Sequence, residues 1–402
     1  MNERYYSLDV FRGATVALMI LVNNPGSWEH IFPPLDHSPW NGCTPTDLVF
    51  PFFLFAVGNA FAFVMPKMEQ KGSAYFLKKI VKRSIIIFLI GILLQWSPFL
   101  MYQNGHLVGK PWTWFTDDDD VVTGVRILGV LQRIALCYFF AALIIYYFKP
   151  KVTAIICIGL LLLYWWMCYT FGTKPDPYSL QHYFGIPIDK LILGEAHMYK
   201  GEGVAFDPEG ICSTLTAIIQ VIFGYFAGRY IRTKGKNFEM LSQLFIAGIL
   251  LMFAGYCWDM IYPINKKIWT SSYTIYTTGL AMVTLGILIY FIEFKNAKNV
   301  WSKFFNAFGR NPLFIFILSG FLPRVLRLIR IPFIDEYGDK TFINPFEWFY
   351  EYVCKPLSNI HFNKWIITSD LRIGSLIYAL CLITFYWSIA YWMDKRKVYI
   401  KV

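Results

Sequence analysis

The chain has 402 residues, of which 56% are hydrophobic, 19% aromatic and only 16% charged, and its mean hydropathy is +0.44. Soluble domains carry about 25% charged residues, so this balance excludes an ordinary soluble fold and predicts an all-α, polytopic bundle of membrane helices. The net charge of +11 gathers in the connections between apolar runs, where it sets orientation, and implies no nucleic-acid partner.

Apolar runs long enough to span a bilayer fall at 8–24, 46–66, 80–101, 127–148, 152–171, 211–231, 238–258, 271–292, 304–322 and 370–392. Ten spans are thus predicted, forming a single transmembrane domain over 1–402. Basic residues crowd alternate connections: Lys67, Lys71, Lys78, Lys79, Lys82 and Arg83 in the second, Lys149 and Lys151 in the fourth. Arg229, Arg232, Lys234 and Lys236 follow in the sixth, Lys295, Lys298 and Lys303 in the eighth, and Lys395, Arg396, Lys397 and Lys401 after the last run. With Arg4 and Arg12 they place this face and both termini in the cytoplasm. The first run starts almost at Met1, holds Asp9 and Arg12, and has no small-residue cleavage site after it, so no cleavable signal is expected.

Six cysteines (Cys137, Cys157, Cys168, Cys212, Cys257 and Cys381) fall in or at the ends of spans and read as small apolar residues. Cys43 and Cys354 both lie on the outer side, where a bridge is chemically permitted, but the spacing gives no reason to pair them. Zinc-type spacing is absent and no metal is expected.

The outer loops carry the specific signal. Pro25 to Pro45 contains no lysine or arginine, and His37 sits in it between Asp36 and Ser38. Imidazole exchanges a proton near neutrality and can act as base or nucleophile. Asp47 follows ten residues on, placed to orient or charge-stabilise that ring, and Asn23 and Asn24 end the first run on the same side, where an amide can donate to an oxyanion. Each residue has a plain alternative: an interfacial histidine, an aspartate beginning a helix and asparagines ending one. Together in one apolar neighbourhood they point to catalysis, since ionisable groups at membrane depth are costly.

SLDVFRG at 7–13, ILVNN, HSPWNGCTPTDLVFPFFLF, GVLQRIALCY at 129–138, DPEG at 207–210 and NKKIWTSSY at 265–273 resemble, in order, the heparan-α-glucosaminide N-acetyltransferase family of the transmembrane acyltransferase superfamily. The resemblance implies acetyl-CoA bound from the cytoplasm, without a metal, and an acetyl group delivered to an amino sugar or glycan end on the far side. It makes His37, in the family's H-x-x-W position with Trp40, the catalytic histidine, and Asn23 the membrane-end asparagine beside the acetyl group. Pro39 departs from the family's small residue there, and the long luminal amino-terminal region of the lysosomal enzyme is missing. The latter implies a bacterial relative in the inner membrane, among lipids. Oligomeric state stays open, a homodimer included.

Acyl transfer needs a proton acceptor for the amine, a donor to the thioester oxyanion and a dry site. His37 is read as base or transient acetyl carrier, Asp47 as its partner and Asn23 as oxyanion donor. For the phosphates of the donor, Lys78, Lys79, Lys82 and Arg83 are candidates, with topogenic charge the plainer reading. Arg310 lies roughly 10 Å into the ninth span at 1.5 Å per residue, beside Asn311 and a helix-breaking Pro312. Arg310, Asn311 and Asn59 are expected along a donor channel; the plain reading of Arg310 is a side chain snorkelling to the interface. Arg133, beside Gln132, needs a counter-charge, for which Asp47 or Glu209 is expected. Glu209 and Asp207 suit a glucosaminium amine or a helix dipole alike. Asp259, Trp269 and Trp40 are expected sugar contacts.

The remaining features read plainly: Asp117–Asp120 as a solvated run, Arg324, Arg327 and Arg330 as lipid-headgroup anchors, and 345–357 as an interfacial helix. An amino-sugar transporter is the alternative function, although no paired halves are visible; a structural membrane subunit is the third.

Overall fold

The computed structural model describes residues 5–103, 105–115, 122–334, 338–359 and 370–400. Asp117–Asp120, Arg4 and Lys401 lie outside the described residues. The chain forms α1 (Tyr6–Asn23), α2 (Val49–Glu69), α3 (Ser73–Trp96), α4 (Val130–Tyr147), α5 (Pro150–Phe171), α6 (Gly185–Leu193) and α7 (Thr214–Lys234). These are followed by α8 (Phe238–Asp259), α9 (Ser271–Ile289), α10 (Val300–Arg310), α11 (Pro312–Leu326), α12 (Pro345–Phe349) and α13 (Leu371–Lys395).

Among the described residues, eight helices are long and apolar enough to cross a membrane: α1, α2, α4, α5, α7, α8, α9 and α13. The all-α polytopic class holds, and the two other predicted spans differ for physical reasons. Helix α3 is long enough at 24 residues but starts with the Lys78–Arg83 cluster inside it, and ends earlier than expected, at Trp96. The expected 304–322 span is two helices, because Asn311 leaves helical geometry at φ −131° and ψ 48° and Pro312 starts α11 afresh. The break leaves α11 with 15 residues.

Among the described residues, three antiparallel strand pairs, not foreseen, stand in the loops: β1 (Leu100–Gln103) with β2 (His106–Gly109), β3 (Thr113–Phe115) with β4 (Val122–Gly124), and β5 (Ile331–Ile334) with β6 (Lys340–Ile343). Helix α6 is also new. Its Leu191 and Ile192 are exposed, and so are two-residue apolar pairs along α5 and α8 such as Leu162–Leu163 and Ile249–Leu250. The expected helix at 345–357 is present as α12 followed by a wide turn at Tyr350–Cys354 and a tight one at Lys355–Asn359.

Burial separates a central helix from peripheral ones: 72% of the apolar window of α7 is buried, against 28% for α5 and for α8. Helix α7 packs along α2, and α1 along α10, at very short range. A Cβ on Gly58 would lie 1.8 Å from the Val221 carbonyl oxygen, and one on Gly224 2.1 Å from that of Phe55. Gly13 and Gly309 do the same for α1 and α10, at 1.7 Å from the Phe305 oxygen and 1.9 Å from the Asp9 oxygen. Small residues allow such backbone approach where lipid supplies little hydrophobic drive between helices.

All eight cysteines are free; Cys43 sits in the first loop and Cys354 is buried among Tyr350 and Tyr378, so the two do not pair.

Gly58→Ala is expected to force α2 from α7 and cost about 1–3 kcal/mol. Gly159→Ala, on a helix face with nothing within 4 Å, is expected to be neutral or slightly stabilising. Thermal unfolding of both variants in one detergent checks this.

Candidate active site

The first loop folds around a carboxylate. Pro45 begins a tight turn, Pro45–Leu48, that leads into α2, and Asp47 in it accepts from the Thr44 amide at 3.0 Å and the Thr44 hydroxyl at 3.1 Å. The Ser38 amide donates to the same oxygen, Oδ2, at 3.1 Å. That leaves Oδ1 to His37, whose Nδ1 lies 2.7 Å away. Asp47 is thus not the cap expected of it: it is the third residue of the turn and reaches back to its cap, Thr44, while its other oxygen contacts the imidazole. Its side chain is 1% exposed and that of His37 is 38% exposed, so the pair has an anchored end and an accessible end.

A second segment closes on the pair. The loop after α8 is fastened to the first loop by the Gly42 amide donating to Ile264 at 2.7 Å and by Asn265 donating to Asn41 at 3.1 Å. This brings Lys266 Nζ to 3.0 Å from His37 Nδ1, 3.3 Å from Nε2 and 3.5 Å from Asp47 Oδ1. Lys266 lies within NKKIWTSSY without an expected role, because a lysine in a loop carries no signal until the fold shows what it touches. Burial pulls its ammonium below the usual lysine range, with Asp47 and Glu209 pulling back.

A third segment supplies acids. Asp207 receives Arg126 through two bonds, Nε at 3.0 Å and a terminal nitrogen at 2.6 Å, and Arg126 also holds Glu209. Arg126 was not foreseen. Burial pushes Asp207 up against the pull of Arg126. Burial also opposes the charge of Glu209, yet Arg126, then Arg133 and Lys266, hold its carboxyl low. Asp207 is thus spent on structure, while Glu209 lines the same cavity as His37, Asn23 and Lys266, of about 180 Å³.

A second cavity adjoins it. Phe53 and Ile134 also line this larger one of about 370 Å³, which carries Arg12 and Arg83 at its basic end. Asn23 and Val130 also line a polar side chamber of about 220 Å³ with Gln132 and Arg324. Chambers bordered by the same side chains thus run from the basic face to His37.

The other expected residues are placed as follows. Asn23 ends α1 between two chambers, and its amide has no hydrogen-bond partner among the described residues. Arg83 lines the large cavity with its guanidinium 4.8 Å from the Tyr138 ring centre and its Nε unpartnered. Lys82 is exposed and Asn59 is buried in α2 with both amide atoms unpartnered; neither lines these chambers. Asn311 is engaged by the tail, donating to Val398 at 2.9 Å and accepting from the Ile400 amide at 2.9 Å. Arg310 turns to Tyr399, 5.5 Å from its ring centre. Neither borders the large cavity, which Pro312 and Leu313 reach instead.

Arg133 lacks the carboxylate partner expected for it. Its guanidinium donates to Gly210 at 3.1 Å and to Ser213, and lies 5.1 Å from the Trp269 ring centre, because Arg126 already holds the acids. Trp269 is only 1% exposed and packs edge-on against Phe50, which rules out stacking on a sugar at the surface. Asp259 accepts from the Ile264 amide and shapes the loop that bears Lys266. Trp40 donates to Tyr178 at 2.9 Å and packs on Phe206. Arg324 turns inward to Leu94 and Gln95 rather than out to lipid, and Arg330 covers the Tyr102 ring at 3.4 Å.

A model of the catalytic region of heparan-alpha-glucosaminide N-acetyltransferase matches residues 4–184, which include Asn23, His37, Asp47, Arg83 and Arg126. Over that region the chain resembles the heparan-α-glucosaminide N-acetyltransferase family. Heparan-alpha-glucosaminide N-acetyltransferase of Homo sapiens is 28% identical over 373 residues, 79% of this chain and 53% of that protein. The Mus musculus protein of the same name is 28% identical over 370 residues, 78% of this chain and 53% of its own. The chain thus spans about half the length of the curated relatives it matches. Lys266 and Glu209 lie beyond the matched catalytic region, on segments the fold carries back to it.

Asp189 of α6 supports the turn that carries Glu209, accepting from the Ile211 amide at 2.9 Å. Burial raises its carboxyl from 3.8 to about 6, Asp207 adding to the rise while the Ile211 bond and Arg133 oppose it. Between those values the folded state binds more protons than the unfolded state, so stability falls as pH rises through the window and levels off above it. The loss is about 3 kcal/mol. Asp189→Asn keeps the acceptor oxygen and removes the titration. The melting temperature of the variant minus that of wild type is expected to climb from pH 4 to pH 7 in thermal unfolding.

Proposed function

We propose that this protein is a transmembrane acetyltransferase that takes an acetyl group from acetyl-CoA at its basic, cytoplasmic face and delivers it to the amine of a glucosamine-type sugar at the opposite face. One observation carries the reading: the His37 chamber and the chamber bearing Arg12 and Arg83 share Phe53 and Ile134. The names of the relatives, N-acetyltransferases of a glucosaminide, agree with it.

In this reading Arg12 and Arg83 hold donor phosphates as charge-assisted hydrogen-bond donors, with the pantetheine arm threading the apolar chamber. His37 uses Nδ1–H toward Asp47, which leaves Nε2 as the base. The acceptor nitrogen, near Glu209, loses its proton to Nε2 and attacks the thioester carbon; the C–N bond forms, the C–S bond breaks, and the proton leaves with the thiolate. The Asn23 amide, without a hydrogen-bond partner among the described residues, is placed to donate to the oxyanion. A transient acetyl group on Nε2 serves the same geometry. The proposed setting is a bacterial inner membrane, crossed by the apolar helices.

The test is incubation of the purified protein with isotope-labelled acetyl-CoA and glucosamine, read by mass spectrometry. His37→Ala is expected to cut labelled N-acetylglucosamine by about 10²–10⁴ with little change in melting temperature. Arg83→Gln is expected to raise the KM for acetyl-CoA about tenfold and leave the acceptor KM alone. Acetyl-CoA-independent uptake of glucosamine into proteoliposomes, without product, would instead make the protein an amino-sugar transporter.

A further inference from the structure

Lys266 Nζ is nearly equidistant from the two nitrogens of His37, 3.0 Å from Nδ1 and 3.3 Å from Nε2. A group so placed cannot lie along the lone-pair direction of either nitrogen, so it packs across the ring and leaves Nε2 open to the chamber. It is also 3.5 Å from Asp47 Oδ1 and only 22% exposed. We propose that Lys266 is a positioning residue for acyl transfer: packed across the imidazole and onto Asp47, it keeps His37 neutral and its Nε2 free to take the acceptor's proton. The proposal rests on the acetyltransferase reading and adds to it a charge that opposes the carboxylate.

Asp47 alone, at 2.7 Å from Nδ1, favours imidazolium, and an imidazolium cannot act as base. A cation against the same ring disfavours it. The groups facing the ring and the lysine are Asp47 from the turn before α2, Asp36 and Cys43 from the first loop, and Glu209 from the 207–210 turn. Arg126 neutralises Glu209 from behind and Arg133 adds to the hold. Asp36 Oδ1 accepts from the His37 backbone amide rather than from its ring. The close balance at the ring is therefore one carboxylate against one ammonium. Once His37 has taken a proton, the adjacent ammonium also hastens its release to the departing thiolate. Lys266 is not free to drift from this post, because Asn265 beside it is bonded to Asn41, Ile268 and Thr270.

The test compares wild type with Lys266→Met and Lys266→Arg, with Lys266→Gln in reserve should the methionine variant fail to fold. The first readout needs no turnover: carbethoxylation of His37 across pH, followed by peptide mass, reports the fraction of neutral imidazole. Its midpoint is expected to rise by about one pH unit in Lys266→Met or Lys266→Gln and to stay at the wild-type value in Lys266→Arg. The second is the pH profile of acetyl transfer, whose acid limb is expected to move up by the same amount, with kcat falling about tenfold more at pH 6 than at pH 8. The acceptor KM is expected to stay within about threefold. An unmoved carbethoxylation midpoint overturns the proposal, even where activity falls, and leaves Lys266 a structural residue. A moved midpoint in a protein whose wild type acetylates nothing overturns the acetyltransferase reading and upholds the charge coupling.

Discussion

The carboxylate of Asp47 is reached by the His37 ring, the Ser38 and Thr44 amides, the Thr44 hydroxyl and the Lys266 ammonium. Tyr273 of α9 donates to the backbone oxygen of the same residue at 2.6 Å. A lysine-free first loop, the mouth of α2 and the loop between α8 and α9 thereby meet at one side chain. A buried carboxylate is tolerable only with such a set of donors. Because each donor comes from a segment that the helix packing alone would not register, the same bonds that satisfy Asp47 also fix where His37 and Lys266 stand.

Charge is apportioned around this point with little surplus. Arg126 takes Asp207 through two bonds and reaches Glu209 with the same terminal nitrogen, so the DPEG turn presents one carboxylate to the chamber instead of two. Arg133, one helix layer deeper, has backbone and hydroxyl acceptors and the face of Trp269 in place of an ion pair. A guanidinium against an aromatic face is favoured most where water is excluded. The arginine therefore stabilises the layer below the chamber without neutralising Glu209, and its positive field helps keep that carboxyl ionised.

What the sequence made legible follows from range. Hydrophobic runs gave the helices, because twenty apolar residues in a row have few alternatives. His37 and Asp47 stood out because they lie ten residues apart in one loop and need only a local turn to meet. Asn311 and Pro312 showed that a helix must break, but not that the Asn311 amide would be consumed by Val398 and Ile400, nearly ninety positions away along the chain. Lys266, Arg126 and Trp269 were misjudged or missed for the same reason. Their roles depend on contacts more than fifty residues distant, such as Thr216 donating to the Trp269 carbonyl at 2.6 Å, and a side chain's type does not reveal whether it ends at a surface or under one.

The bundle also retains polar atoms that a purely structural design would have removed. Asn59 has both amide atoms unpartnered, and so are Gln132 Nε2, Arg133 Nε and Trp269 Nε1. Each such group costs about 1–3 kcal/mol when nothing satisfies it. Gln132 lines the polar chamber, and Arg133 and Trp269 lie directly beneath the Glu209 turn. The glycine contacts of α2 with α7 and of α1 with α10 give backbone packing close enough to offset part of that cost, and of these helices α1 and α2 border the chambers. Tight packing and unsatisfied polarity thus meet on α2, where Gly58 and Asn59 are neighbours. Of these unpartnered donors, Gln132 alone lines a chamber, so in the proposed acetyltransferase it is the one placed to meet a substrate.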